Sequence, residues 1–222
     1  MNLHEGHRQR VFDRFKKEGI DSFSPHNILE MLLFYSIPRV DTNEIAHRLI
    51  ERFGSVSAVF DAPECELIKV EGIGERSAIL LKMIPQIARY YLTENIDDRI
   101  ILSSKDAGKL LLPRYIGRKT EVVMVVCLDS KSKVLSIQTV QEGNVNTAEI
   151  SIQAIVAAAI NSNAAGVIVS HNHPGGVCLP SQEDIKTTRV LCKTLAAVNI
   201  KMIDHLIIAD NDFVSIAESG QL

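Results

Sequence analysis

The sequence has no tryptophan and only 5% aromatic residues, so any core it forms must be aliphatic. Hydrophobic residues make up 46% of its 222 positions, enough for one large domain or two small ones. Its four cysteines, Cys65, Cys127, Cys178 and Cys192, are scattered and form no C-x-x-C pair. Such usage excludes a disulfide framework and predicts reduced thiols in the cytosol. No apolar stretch approaches the roughly 18 residues that a membrane span requires, so no membrane partner is expected. The opening MNLHEGHRQR is too charged for a secretory leader, and the expected location is cytoplasmic. Strong charge of one sign is missing too. The formal net charge is -3, with residues 1–92 carrying 12 basic against 13 acidic (net -1) and the remainder 12 against 14 (net -2). Any nucleic-acid contact must therefore come from a local patch.

Short helices account for residues 1–92. Residues 6–17 place Val11, Phe12 and Phe15 on one face before Gly19. Ser24-Pro25 opens a helix through the apolar run 28–34, and Asp41-Thr42 caps a third that Phe53-Gly54 stops. After two short turns, a longer amphipathic helix is expected over 76–92. The polar stretch 93–98 reads as a linker, giving a helical domain over 1–92 and a second domain over 98–222. In the second, Ser103-Ser104 caps a helix to about Leu112, and the β-branched run 122–128 suits a buried strand. Residues 134–140 follow as a second strand, and Thr147 caps a very apolar helix. Then come a buried strand at 166–170, a helix over 181–198 and strands at 201–209 and 213–216. The mixture predicts an α/β fold, a mixed sheet sandwiched by helices.

The chemistry concentrates in Ser170-His171-Asn172-His173-Pro174 and, beyond a loop, Ser181-Gln182-Glu183-Asp184. Histidines at i and i+2 of an extended segment project to the same side, so both imidazoles can reach one ion. Pro174, two glycines and Pro180 turn the chain sharply, which brings Asp184 in the first helical turn back towards them. Imidazole and carboxylate donors together suit zinc. Three protein ligands leave a fourth position for water, as in a catalytic site. Ser181-x-x-Asp184 is also the pattern of a helix capping box, and the same serine can serve both ends. Of the acids upstream, Glu121, Glu142 and Glu149 are candidates for a general base.

The spacing His171-x-His173-x7-Ser181-x2-Asp184 resembles the JAMM motif of the MPN metalloprotease superfamily. The wider context, HNHPGG…PSQED with a later Asp204-His205-Leu206-Ile207-Ile208, is similar to the bacterial RadC family over nearly the whole chain. The resemblance implies a C-terminal JAB/MPN-like domain with His171, His173 and Asp184 as ligands of one zinc ion. It further implies that Ser181 supports a developing oxyanion and that Glu121 is the general base. The expected activity is a metallopeptidase cleaving a peptide or isopeptide bond in an unknown protein or peptide substrate. The alternative is a DNA-associated repair or recombination accessory protein whose metal is structural or vestigial. One departure stands out: the loop Gly175-Gly176-Val177-Cys178-Leu179 is more apolar than is usual in the family, which bears on substrate contacts. Cys178 could be a spare soft ligand or a buried thiol, and His205 a support for a ligand or a sheet histidine.

In the helical half, Val70-Glu71-Gly72-Ile73-Gly74-Glu75-Arg76 resembles the hairpin of helix-hairpin-helix modules. Gly72 and Gly74 would permit a tight turn whose N–H groups, with Arg76, could cradle a phosphate. Glu71 and Glu75 oppose that, so weak DNA binding is expected. A second basic cluster, His7, Arg8, Arg10, Arg14, Lys16 and Lys17, marks either another contact or a solvated helix face.

Overall fold

In a computed structural model of the chain, residues 6–94, 99–143 and 150–220 are described. Two compact units emerge, Met1–Ile87 and Ala88–Leu222. Among the described residues the first is all helical: α1 (His7–Glu18), α2 (Pro25–Leu33), α3 (Asn43–Phe53), α4 (Val56–Asp61), α5 (Glu64–Leu67) and the beginning of α6 (Glu75–Thr93), with one short 3-10 turn at Ile20–Ser22. Aliphatic side chains, among them Leu29, Leu33, Leu49, Leu67 and Leu81, are fully buried in its core. Gly54, at φ 87°, ends α3 as expected. The start of that helix differs from expectation. Thr42 makes no capping bond; its hydroxyl donates to the Glu30 carbonyl, and Asp41 instead accepts from the Asn43 N–H. Inside the unit, a buried backbone carbonyl outcompetes the local cap.

Alternation along β1 (Glu121–Leu128) divides the second unit's core in two. Val122, Met124, Val126 and Leu128 face α7 (Ser104–Tyr115), while Val123, Val125 and Cys127 face α8 (Ile152–Asn161) and α9 (Gln182–Ala196). Burial on both faces explains the unbroken β-branched run. The five-stranded sheet has the order β2-β1-β3-β4-β5, with β2 at Val134–Gly143, β3 at Gly166–Asn172, β4 at Lys201–Ala209 and β5 at Asp212–Ser215. Among the described strands only β3 and β4 pair in parallel, joined through α9. The fold is thus α/β, a mixed sheet between helices. α7 runs to Tyr115, past the expected end near Leu112, and packs so closely that a Cβ on Gly108 would lie 2.2 Å from the Phe213 ring. α8 starts at Ile152 with Ser151 accepting from the Ala154 N–H; Thr147, the expected cap, lies outside the described residues, as do 95–98 of the expected linker. No helix among the described residues is long and apolar enough to cross a membrane.

Candidate metal centre

The crossover β3–α9–β4 places its turn at the carboxyl end of β3, where open α/β sheets commonly hold their ligands. His171 is the penultimate residue of β3, paired with Val123 of β1 and Ile207 of β4. It is buried on the face towards α9. His173 follows just beyond the strand, its N–H bonded to the Ile208 carbonyl.

α9 supplies the third residue through its own amphipathicity. Its buried positions are Asp184, Thr188, Leu191 and Leu195, one stripe at i, i+4, i+7 and i+11. Leu191 and Leu195 are fully buried, worth roughly 1.5–3 kcal/mol each, and they anchor the helix. Their stripe continues into Asp184 and Thr188 at the end beside the histidines. The capping box forms as the sequence predicts: Ser181 Oγ accepts from the Asp184 N–H at 3.1 Å, and Asp184 Oδ2 accepts from the Ser181 N–H at 2.7 Å. The Ser181 hydroxyl also donates to Asp184 Oδ2 at 2.6 Å. Its single proton is therefore committed to Asp184 in this arrangement, and support of a substrate oxyanion would require it to rotate away.

His171, His173 and Asp184 offer donor atoms within 4.8 Å of one another. His171 Nε2 stands 3.0 Å from His173 Nε2 and 3.1 Å from Asp184 Oδ1, and His173 Nε2 is 3.6 Å from Asp184 Oδ2. Tetrahedral bonds of 2.0–2.2 Å require donor separations of about 3.3–3.6 Å. Two imidazole nitrogens at such range need either a shared proton or a cation between them. The donor set therefore fits a metal ion. Burial by itself would raise the Asp184 pKa, yet the neighbouring His171, His173 and Ser181 outweigh it and hold the carboxyl well below its usual range. The hydrogen bond to Asp184 raises the His173 pKa above its ordinary 6.5.

All five predicted site residues of this unit, Glu121, His171, His173, Ser181 and Asp184, line one cavity of about 520 Å³. Glu121 reaches it because β1 runs antiparallel to β3 with Val123 opposite His171, so a residue two earlier shares that face of the sheet. Of the rival acids, Glu142 is ion-paired with Arg118 at 3.0 Å, and Glu149 lies outside the described residues. Cys178 is no donor to the triad. Its thiol donates to the Ile207 carbonyl at 3.1 Å, while Val177 and Leu179 on either side line the cavity.

Sequence reasoning missed two residues here, Asn172 and Thr188, and left His205 open between support for a ligand and a sheet histidine. Asn172, between the histidines, accepts from the Val122 N–H at 2.8 Å and donates to the Thr120 carbonyl at 3.1 Å. It thereby grips the backbone on both sides of Glu121. Its buried position in the H-x-H was the one available hint. Thr188 and His205 form a buried chain behind His171: His171 Nδ1 is 2.9 Å from His205 Nε2, and His205 Nδ1 is 2.7 Å from Thr188 Oγ1. Desolvation, with the neighbouring His171, pushes the His205 pKa down to about 3, so its ring is neutral. Thr188 was unremarkable in sequence, recognisable only as a polar residue on the buried stripe of α9.

Residues 101–221 match the RadC-like JAB domain. The chain belongs to the RadC family. A UPF0758 protein of Fusobacterium nucleatum is 31% identical over 224 residues, 97% of each chain. Another from Vibrio atlanticus is 31% identical over 209 residues, covering 94% of this chain and 93% of its own. A third, from Photobacterium profundum, is 30% identical over 214 residues, 96% of each. The similarity thus runs through the helical unit as well as the JAB domain.

In the helical unit, Gly72 adopts φ 94°, and a Cβ there would fall 2.6 Å from Ile45 Cδ1. The turn is closed by the Ile73 N–H bonding to the Val70 carbonyl at 3.0 Å. Gly72, Gly74 and Arg76 are all exposed, while Glu71 lies 3.7 Å from Arg48. The second basic cluster is partly spent inside the unit. His7 bonds to Glu30, Arg8 to the carbonyls of Ile37 and Val40, and Arg14 to that of Ser22.

The raised His173 pKa has a measurable consequence. Metal uptake requires the neutral imidazole, and here the protonated form persists above the ordinary 6.5. Affinity for a metal ion is therefore expected to decline already as pH falls towards 6.5. In Asp184→Asn, which lacks the charge that raises the pKa, the residual affinity should decline only at lower pH. Competition titrations with a chelator between about pH 5.5 and 8 check this; parallel pH profiles in the two proteins would refute it.

Proposed function

We propose that the protein is a zinc-dependent metallohydrolase of JAMM type, a metallopeptidase that cleaves a peptide or isopeptide bond. The observation supporting this reading is a three-donor cluster open to a cavity that a further acid, Glu121, also lines. A purely structural zinc needs four protein donors and no neighbouring carboxylate. Zinc, when bound, supplies Lewis acidity and lowers the pKa of water to about 7. His171, His173 and Asp184 would hold the ion. Glu121 would accept the proton of the attacking water and deliver it to the leaving amine. Ser181 holds Asp184 in place and, once turned, can donate to the developing oxyanion. The exposed apolar rim at Val177 and Leu179 suits an extended chain with small apolar side chains next to the scissile bond. The test is hydrolysis of peptide and isopeptide libraries by the zinc-loaded protein. Cleavage of nucleic-acid esters with no peptide cleavage would overturn it.

The alternative, a DNA-associated repair or recombination accessory protein, draws support from the exposed turn Gly72–Arg76. Its acidic flanks limit the effect. The full chain is expected to bind duplex or branched DNA with micromolar or weaker affinity, on the order of nonspecific binding, and with a clear salt dependence. Arg76→Glu should weaken it further. A salt-insensitive affinity unchanged in Arg76→Glu would remove the turn from any nucleic-acid role.

A further inference from the structure

We infer that Thr188 and His205 are positioning residues that hold His171 in the one tautomer whose Nε2 lone pair faces the metal site. The inference rests on the metal site proposed above, and it follows from counting protons along a buried chain. Thr188 has one hydroxyl proton and two partners. One is the Asp184 carbonyl at 2.6 Å, which can only accept. Two oxygens at that distance with no proton between them would repel, so the proton lies there. Thr188 Oγ1 must then accept from its other partner, His205 Nδ1. A neutral imidazole carries a single N–H, and His205 has now placed its own on Nδ1. Its Nε2 is therefore an acceptor, and its partner His171 Nδ1 must donate. That leaves the His171 Nε2 lone pair facing His173 Nε2 and Asp184 Oδ1, a gathering of acceptors that needs a metal ion or, in its absence, a proton carried by His173.

The chain closes on itself. Asp184 and Thr188 sit one helical turn apart on α9, so the helix that carries the carboxylate donor also ends the relay that orients the opposing imidazole. A shift of α9 would move both together. His173 is preset differently: its Nδ1 lies 3.3 Å from the Val177 carbonyl, again an acceptor only, which leaves Nε2 free for the metal. One ligand is therefore fixed by a fully buried side-chain relay and the other by an exposed loop. The buried ring, unable to find water as a substitute partner, depends wholly on Thr188 and His205.

The test uses the full-length, metal-free protein with ¹⁵N-labelled histidine. Long-range ¹H–¹⁵N correlation spectra are expected to show His171 as the Nδ1–H tautomer. Thr188→Val removes the acceptor at nearly constant volume; it should give a mixed or inverted His171 tautomer and lower zinc affinity by about 10–100-fold. Thr188→Ser should restore both. Should Thr188→Val fail to fold, His205→Gln and His205→Leu carry the test. The amide can accept from His171 and donate to Thr188, so Gln should keep the tautomer and most of the affinity, and Leu should lose them. An Nε2–H tautomer in the wild type, an unchanged tautomer in Thr188→Val, or equal losses in the Gln and Leu variants would overturn the inference. A wild type with the expected tautomer but no zinc affinity would sink the metal site and leave the relay standing. One that binds zinc with the opposite tautomer would do the reverse.

Discussion

Glu121→Gln is expected to lower turnover by about 10²–10⁴ while leaving bound zinc unchanged, the range typical of a lost general acid–base group. The substitution keeps the size of the side chain and its place at the start of β1. The backbone on either side stays gripped by Asn172, so the loss cannot be assigned to a displaced strand. Glutamine can still form a hydrogen bond to water but cannot carry a proton to the leaving amine. Glu121 is not among the three clustered donors, which is why metal content and rate should separate. The measurement pairs elemental analysis with rates on whichever library substrate the wild type cleaves. Equal rates in the two proteins at equal zinc would remove Glu121 from the chemistry, and a parallel loss of zinc would make it a ligand.

Purified protein should hold about one zinc per chain, and Asp184→Ala or His173→Ala should lose most of it. A ligand present at a thousand times its dissociation constant stabilises by about 4.1 kcal/mol. For a unit of this size that is a fall in Tm on the order of 10 °C upon chelation. The wild type should show the fall and the variants should not, because they start without the ion. Asp184→Ala has a second effect, loss of the capping box, which costs about 0.5–2 kcal/mol even without metal. Asp184→Asn separates the two: its side-chain oxygen can still accept from the Ser181 N–H, so the cap survives while the anionic donor is gone. Differential scanning with and without chelator reads both. A wild-type Tm insensitive to chelation, or zinc retained by both ligand variants, would remove the site.

Much of the fold was legible because periodicity is a local property. The run 122–128 reads as a buried strand from its β-branched residues alone, and the start of α9 from the serine and acid of its capping box. Boundaries were less secure where tertiary partners intervene. Thr42 gives its hydroxyl to the Glu30 carbonyl, and α7 extends to Tyr115, whose hydroxyl lies 2.8 Å from Ser170 in β3. Neither partner lies within the window that sequence patterns cover.

The same division runs through the site. The sequence by itself determined His171, His173, Ser181 and Asp184 as one constellation, because an extended strand end, a sharp turn and a first helical turn are short-range geometry within 14 residues. It also specified the capping box, which needs only a serine and an acid three residues apart. The resemblance pointed to Glu121, but what brings it to the cavity is the antiparallel register between β1 and β3, which no local pattern specifies. Only the tertiary structure revealed Asn172 clasping residues 50 and 52 positions away, and His205 bonded to His171 across 34. Those contacts depend on which strands pair and in what register, and burial of the whole sheet settles that, not any local pattern along the chain.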